Sequence, residues 1–186
     1  EEKLWQQLLA QTLRNKAVHF VCNSPWQISL LRDIAGERLS DLEITAGPFC
    51  NLTNPRALEA LAEAGFSQAI ASPELSGEDL LTLPALSPLP LGIVLSGFWP
   101  MGISRHKQSP KLLGEALSSP KQETFWARQY GENTWVYPAW PLDISQHKEN
   151  LEKAGYSIFV HIHENPGREI PAAQRTSPFN WELGLL

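Results

Sequence analysis

Two helix-to-strand joins in this chain are nearly the same, Ala64-Gly65-Phe66-Ser67 and Ala154-Gly155-Tyr156-Ser157. In each, a helix-like run ends on glycine and an aromatic residue opens a strand-like run. Glycine stops a helix there because it takes the left-handed backbone without steric cost. The same join at two places points to repeated βα units. Such units build a parallel sheet with right-handed crossovers, so this feature narrows the fold more than any other.

The residues between the joins fill in the alternation. Leu4, Trp5, Leu8, Leu9 and Leu13 form one apolar stripe on a helix over residues 1–15. Ala17–Cys22 is a short apolar strand, and Ser24-Pro25 suits the cap and first turn of a helix that stops at Gly36. Leu42–Cys50 reads as a second strand, and Asn54-Pro55 repeats the capping device for a helix to Ala64. Phe66–Ser72 is a third strand, followed by a short helix capped by Ser76. Gly92–Ser96, Thr134–Tyr137 and Tyr156–His161 are the remaining strands, with a helix over Asp143–Ala154 and one helical turn at Lys111–Leu117. Six strands with no G-x-G-x-x-G after any of them fit a partial or complete TIM-like (β/α) barrel with mostly parallel strands better than a dinucleotide fold. The 186 residues read as a single α/β domain, with a long loop or irregular subdomain at about 97–133. The tail from Asn165 to Leu186 is polar and suits a short terminal helix or hairpin. Met101 is the sole methionine and Glu1 comes first, so a piece cut from a longer chain is expected.

The stretch Gly92–Lys107, GIVLSGFWPMGISRHK, begins as a buried strand and breaks at Gly97 and Pro100. It then delivers Ser104, Arg105, His106 and Lys107 to a loop, which is how an α/β protein presents a site at the carboxyl end of a strand.

Composition removes several classes of function. A net charge of -5 argues against a partner that is bound by its phosphate backbone, so no DNA is expected. No apolar run approaches the roughly 20 residues of a membrane span. Two cysteines, Cys22 and Cys50, with no C-x-x-C, give neither a disulfide framework nor a structural zinc site.

Motifs spread over roughly residues 40–165 resemble the collagenase-like peptidase family, also called peptidase family U-32. Asn51-Leu52-Thr53-Asn54 with Ala57, Leu58, Leu61 and Gly65 is similar to its N-x-x-N strand-to-helix step. Ala71-Ser72-Pro73-Glu74-Leu75-Ser76 is similar to its L-S-x-E-L-S step, and Trp99–His106 resembles its PLM-x-S/T-R stretch. Tyr137 to Gly155 resembles the short strand, LDL and helix that end in L-x-x-A-G. The resemblance implies the later half of a TIM-like barrel domain in a cytoplasmic bacterial protein. Some members are collagen-degrading peptidases acting on a peptide or protein substrate. Others act in RNA hydroxylation or oxygen-independent ubiquinone hydroxylation and hold an iron–sulfur cluster. Cluster-bearing members carry cysteines in and after the segment equivalent to Phe98–Lys107, and this chain has none there. An iron–sulfur cluster is therefore not expected in this segment. The family's peptidase activity has no assigned nucleophile, so no catalytic residue transfers by motif.

Candidate residues must come from the strand ends. In a parallel barrel Glu74, Arg105 and His106 would share one rim, which makes them the candidate catalytic set. A carboxylate beside Arg105 would anchor the guanidinium for an anionic or carbonyl group; Glu74 equally suits a helix-start carboxylate facing the dipole. His161 and His163 fall on one strand face with Glu164 beside them. Two imidazoles so placed can ligate zinc or a similar metal ion, or simply bond to loops. A serine nucleophile could be Ser72, Ser96 or Ser104 with His106 or His161 as base, although no G-x-S-x-G elbow is present. Cys50 with a rim histidine is the thiol alternative. Trp99, Trp126, Trp135 and Trp140 suit a peptide or sugar groove or a satellite core. Beside the hydrolase reading stand a non-catalytic partner-binding or assembly domain, because a half-barrel leaves sheet edges that a second copy would cover as a homodimer, and a fragment of an iron–sulfur hydroxylation protein of the same family whose cluster ligands lie outside this piece.

Overall fold

A computed structural model describes residues 2–106, 108–167 and 170 of the chain. Lys107 and the expected terminal helix or hairpin beyond residue 170 lie outside the described residues. In chain order the elements are α1 (Glu2–Arg14), β1 (His19–Cys22), α2 (Trp26–Ala35), β2 (Glu43–Ala46), α3 (Pro55–Ala64), β3 (Gln68–Ile70), α4 (Gly77–Thr82), β4 (Leu91–Gly97), β5 (Gly102–Ser104), β6 (Leu117–Ser118), β7 (Thr124–Tyr130), β8 (Asn133–Pro138), β9 (Leu142–Asp143), α5 (Lys148–Ala154) and β10 (Tyr156–Ile162). The fold is mixed α/β with a mostly parallel sheet. No helix among the described residues is long and apolar enough to cross a membrane. The described residues divide into two compact units, one of Glu1–Val94 with His147–Phe159, the other of Leu95–Gln146 with the described residues from Val160.

The first unit is built from the repeated βα units. Its sheet runs β1-β2-β3-β4-β10, and β1 to β4 are parallel neighbours with registers such as Phe20↔Ile44, Ala46↔Ala69 and Ile70↔Gly92. The strand order does not reverse between β1 and β4. Gly92 lies so close to β10 that a Cβ would stand 2.7 Å from that of Ile158. Only glycine lets β4 pack there.

Both joins do the same work. Gly65 takes φ +98 and its N–H donates to the carbonyls of Ala62 and Leu61, while the Phe66 N–H also reaches Leu61. Gly155 takes φ +116 and donates to Glu152 and Leu151. In each case the orphan carbonyls of the helix are satisfied and the aromatic residue, Phe66 or Tyr156, is carried into the core. Tyr156 then donates its hydroxyl to the Leu80 carbonyl at 2.9 Å, so its polar tip is satisfied too.

Capping follows the sequence at α3 and α4. Asn54 accepts from the Ala57 N–H at 3.0 Å with Pro55 in the first turn, and Ser76 accepts from the Asp79 N–H at 3.2 Å. Asn54→Ala removes an exposed cap, and the expected loss is about 1 kcal/mol in chemical denaturation, with Asn54→Asp within a few tenths of wild type. Ser24 does not cap α2. Pro25 holds that position in a helical conformation, and the Ser24 N–H donates to Gln27 Oε1 at 3.0 Å. The second and third strands are shorter than expected, because Pro48–Cys50 closes into a 3-10 turn and Ser67 leaves the strand to bond Ile44 through its hydroxyl.

The second unit corrects the reading of residues 97–133 as irregular. They contribute to an antiparallel sheet in the order β5-β8-β7-β6. Strands β7 and β8 form a hairpin closed at Tyr130↔Asn133 by Gly131-Glu132, with φ +56 at Gly131. A glycine first in a two-residue turn matches the twist of a hairpin. The expected turn at Lys111–Leu117 is a shorter 3-10 turn, Pro110–Leu112, and the expected helix from Asp143 opens instead as strand β9 and a 3-10 turn before α5. The tryptophans mainly form a satellite core. Trp126 stacks on Tyr137 with centroids 4.4 Å apart, Phe98 meets it edge-on at 5.9 Å, and Trp140 meets Phe125 at 5.5 Å.

Candidate functional site

The second unit holds an open cleft of about 510 Å³ at the ends of β4 and β10. Its walls include Ser96, Asp143, His161, His163 and Glu164. Strand β4 delivers Ser96, and β10 delivers His161. Ser96 Oγ and His161 Nδ1 lie 2.7 Å apart. With the proton on Nε2, the serine hydroxyl donates to Nδ1. Asp143 arrives from β9, whose antiparallel register pairs it directly with Ser96. Cross-strand partners project to the same face, so the carboxylate stands next to Ser96. The Ser145 hydroxyl and N–H both donate to Asp143, and these bonds hold its carboxyl below the usual carboxylate range.

Packing fixes the two strands at this point. Gly97, with φ +124, lies against the Ile162 carbonyl where any side chain would overlap it. The glycine after the serine and the isoleucine after the histidine therefore set the spacing between Ser96 and His161.

A clasp anchors the segment after β10. Arg128 on β7 donates to Glu164 Oε2 at 2.7 Å and to the Asn165 carbonyl at 2.7 Å, and its guanidinium sits 5.5 Å from the Trp126 ring centroid. Tyr130 donates its hydroxyl to Glu164 Oε1. Burial, with the neighbouring Glu164 carboxylate, raises the Tyr130 hydroxyl above its ordinary range, so it stays a donor. Arg128→Met removes the guanidinium's bonds to Glu164, Asn165 and the Tyr130 hydroxyl and leaves a largely buried carboxylate with one partner fewer. The expected cost is about 1–2 kcal/mol, read as a lower melting temperature and faster amide exchange at residues 163–165. Arg128→Lys restores only part, since an ammonium lacks the fork that reaches both acceptors.

The candidate residues do not all meet. His161 and His163 line the cleft together. Arg105 and His106 follow β5 in the antiparallel sheet and are exposed, the His106 N–H donating to Ser104 Oγ at 3.1 Å and its carbonyl accepting from Thr134 at 2.8 Å. Neither lines the cleft. Glu74 belongs to the first unit, in the loop after β3, where its N–H donates to Ser72 Oγ at 3.3 Å. Ser72 is fully buried and donates to Asn51 Oδ1 at 2.7 Å, so the Asn51 side chain organises that loop while its N–H donates to the Pro48 carbonyl and closes the 3-10 turn. Among the described residues no group of three or more His, Cys, Asp and Glu gathers as a metal site, so His161 and His163 stand as a pair. Cys50 donates its thiol to the Cys22 carbonyl at 3.2 Å, and burial pushes its pKa up to about 11, which leaves a weak nucleophile at neutral pH.

Sequence reasoning named Ser96 and His161 in one of several serine–histidine pairings but gave Asp143 no role. Asp143 opened an expected helix, and only the pairing of β9 with β4 brings its carboxylate to the serine. No protein-family model, curated protein or solved structure matches the chain.

Proposed function

We propose that this chain is a collagenase-like domain of the U-32 type, that its parallel strands belong to a (β/α) barrel, and that its cleft hydrolyses peptide amides. The observation that carries the reading is the meeting of Ser96, Asp143, His161 and His163 on one open cleft at the ends of β4 and β10. A proton acceptor, a hydroxyl and a carboxylate at one site are the groups that acyl transfer needs. Strand ends are also where α/β proteins keep their chemistry. The unreversed strand order β1 to β4 supports the barrel. The test is incubation of the purified protein with casein and denatured collagen, with and without added zinc. New amino termini support the reading; intact substrates under both conditions contradict it.

A second reading, an assembly domain, is favoured by one observation. Leu4, Trp5 and Leu8 on α1, Val18 and Val21 at β1, and Trp26 on α2 are all exposed, and β1 is the edge of its sheet. A second copy pairing along this edge would cover these exposed apolar side chains. Light scattering across a wide concentration range tests it, and a monomer throughout would sink it.

A further inference from the structure

We infer that Ser96 is the nucleophile of the cleft and His161 its general base, acting on an acyl substrate of the peptide amide class. This rests on the hydrolytic reading above and goes beyond it by naming the covalent step. Elimination among the serines comes first. Ser72 is buried and committed to Asn51 and the Glu74 N–H. Ser104 accepts from the backbone of His106 and lies off the cleft. Ser96 lines the cleft and contacts an imidazole nitrogen at 2.7 Å.

The backbone favours the same residue. Ser96 stands one position before Gly97, whose φ of +124 no other residue adopts easily, so the chain turns away just beyond the hydroxyl. The fit of Gly97 against Ile162 holds the serine and histidine in register, which is the positioning that turns a weak hydroxyl into a reacting group. Asp143, opposite Ser96 and fixed by Ser145, puts a carboxylate on the cleft that His161 also lines. It is not bonded to the ring and acts through charge, so the arrangement is a dyad with an electrostatic partner and not a relay.

The step balances without any further reactant. Ser96 Oγ bonds to the carbonyl carbon as its proton passes to His161 Nδ1. The C–N bond breaks and the leaving amine takes that proton. Water then attacks the Ser96 ester, gives a proton to the same nitrogen, and the carboxylic acid leaves as the serine recovers its hydrogen.

A fluorophosphonate probe tests the assignment without needing the natural substrate. The expected result is one phosphonyl adduct per chain, mapped to Ser96, absent in Ser96→Ala, at least about 100-fold slower to form in His161→Gln, and unchanged in Ser104→Ala. An adduct on another residue, or none after prolonged exposure of folded protein, overturns it. Casein cleavage read in parallel separates the two claims. Cleavage at the wild-type rate by Ser96→Ala would remove Ser96 as nucleophile and leave the hydrolytic reading standing. Labelled Ser96 with no cleavage would retain the nucleophile and remove the peptide substrate.

Discussion

Gly97→Ala lowers the melting temperature by about 10 °C or more and leaves the cleft without its shape. Two costs combine. Alanine at φ +124 is strained wherever it stands, and its Cβ would overlap the Ile162 carbonyl, a backbone atom that cannot rotate aside. Substitutions of this kind fall in the tail beyond roughly 3 kcal/mol, and each kcal/mol is worth about 2–4 °C in a chain of this size. Relief requires β4 and β10 to separate at Gly97, which pulls Ser96 from His161. Gly102→Ala is the control, since a Cβ there meets nothing within 4 Å and φ is not positive. Its melting temperature should match wild type. A Gly97→Ala protein as stable as Gly102→Ala would mean that the close fit of the two strands is not needed.

On the proposed hydrolytic reading, His161→Gln is expected to reduce peptide hydrolysis by about 10²- to 10⁴-fold, the range for a positioned general base, with the fold intact. Glutamine can still bond Ser96 but cannot carry its proton. The ring is exposed, so little packing is lost and the melting temperature should move by no more than about 2 °C. His163→Gln separates acid–base work from metal ligation. If His161 acts as the base, His163→Gln stays within about tenfold of wild type, because His163 lines the cleft without the serine contact. Equal loss in both variants, accompanied by loss of a stoichiometric metal in elemental analysis, would make the pair ligands instead.

The parallel part of the fold was legible because its signals are local. Gly65 and Gly155 end helices through their own backbone freedom, and Asn54 and Ser76 cap through bonds to residues three positions on. The antiparallel sheet was not legible for the opposite reason. Strand β5 has three residues and β6 two, too short for alternation to register, and they exist because β8 and β7 lie beside them. The one local sign is Tyr130-Gly131-Glu132-Asn133 between two aromatic-rich runs, a hairpin signal. The site divides in the same way. His161 and His163 share a face by strand periodicity alone, whereas Asp143 reaches Ser96 only through the pairing of β9 with β4, and Arg128 reaches Glu164 across 36 positions of sequence. A common rim for Glu74, Arg105 and His106 was an extension of barrel geometry, but Arg105 and His106 follow a strand of the antiparallel sheet.

The most direct measurement of hydrolysis at this cleft is mass spectrometry of denatured collagen incubated with the purified protein in water enriched in oxygen-18. The expected result is a set of new peptides whose carboxyl termini carry the heavy oxygen, formed by wild type and at least about 100-fold more slowly by His161→Gln. Intact collagen with no labelled termini, or labelled termini formed equally fast by both proteins, would contradict a hydrolytic role for the pair Ser96 and His161.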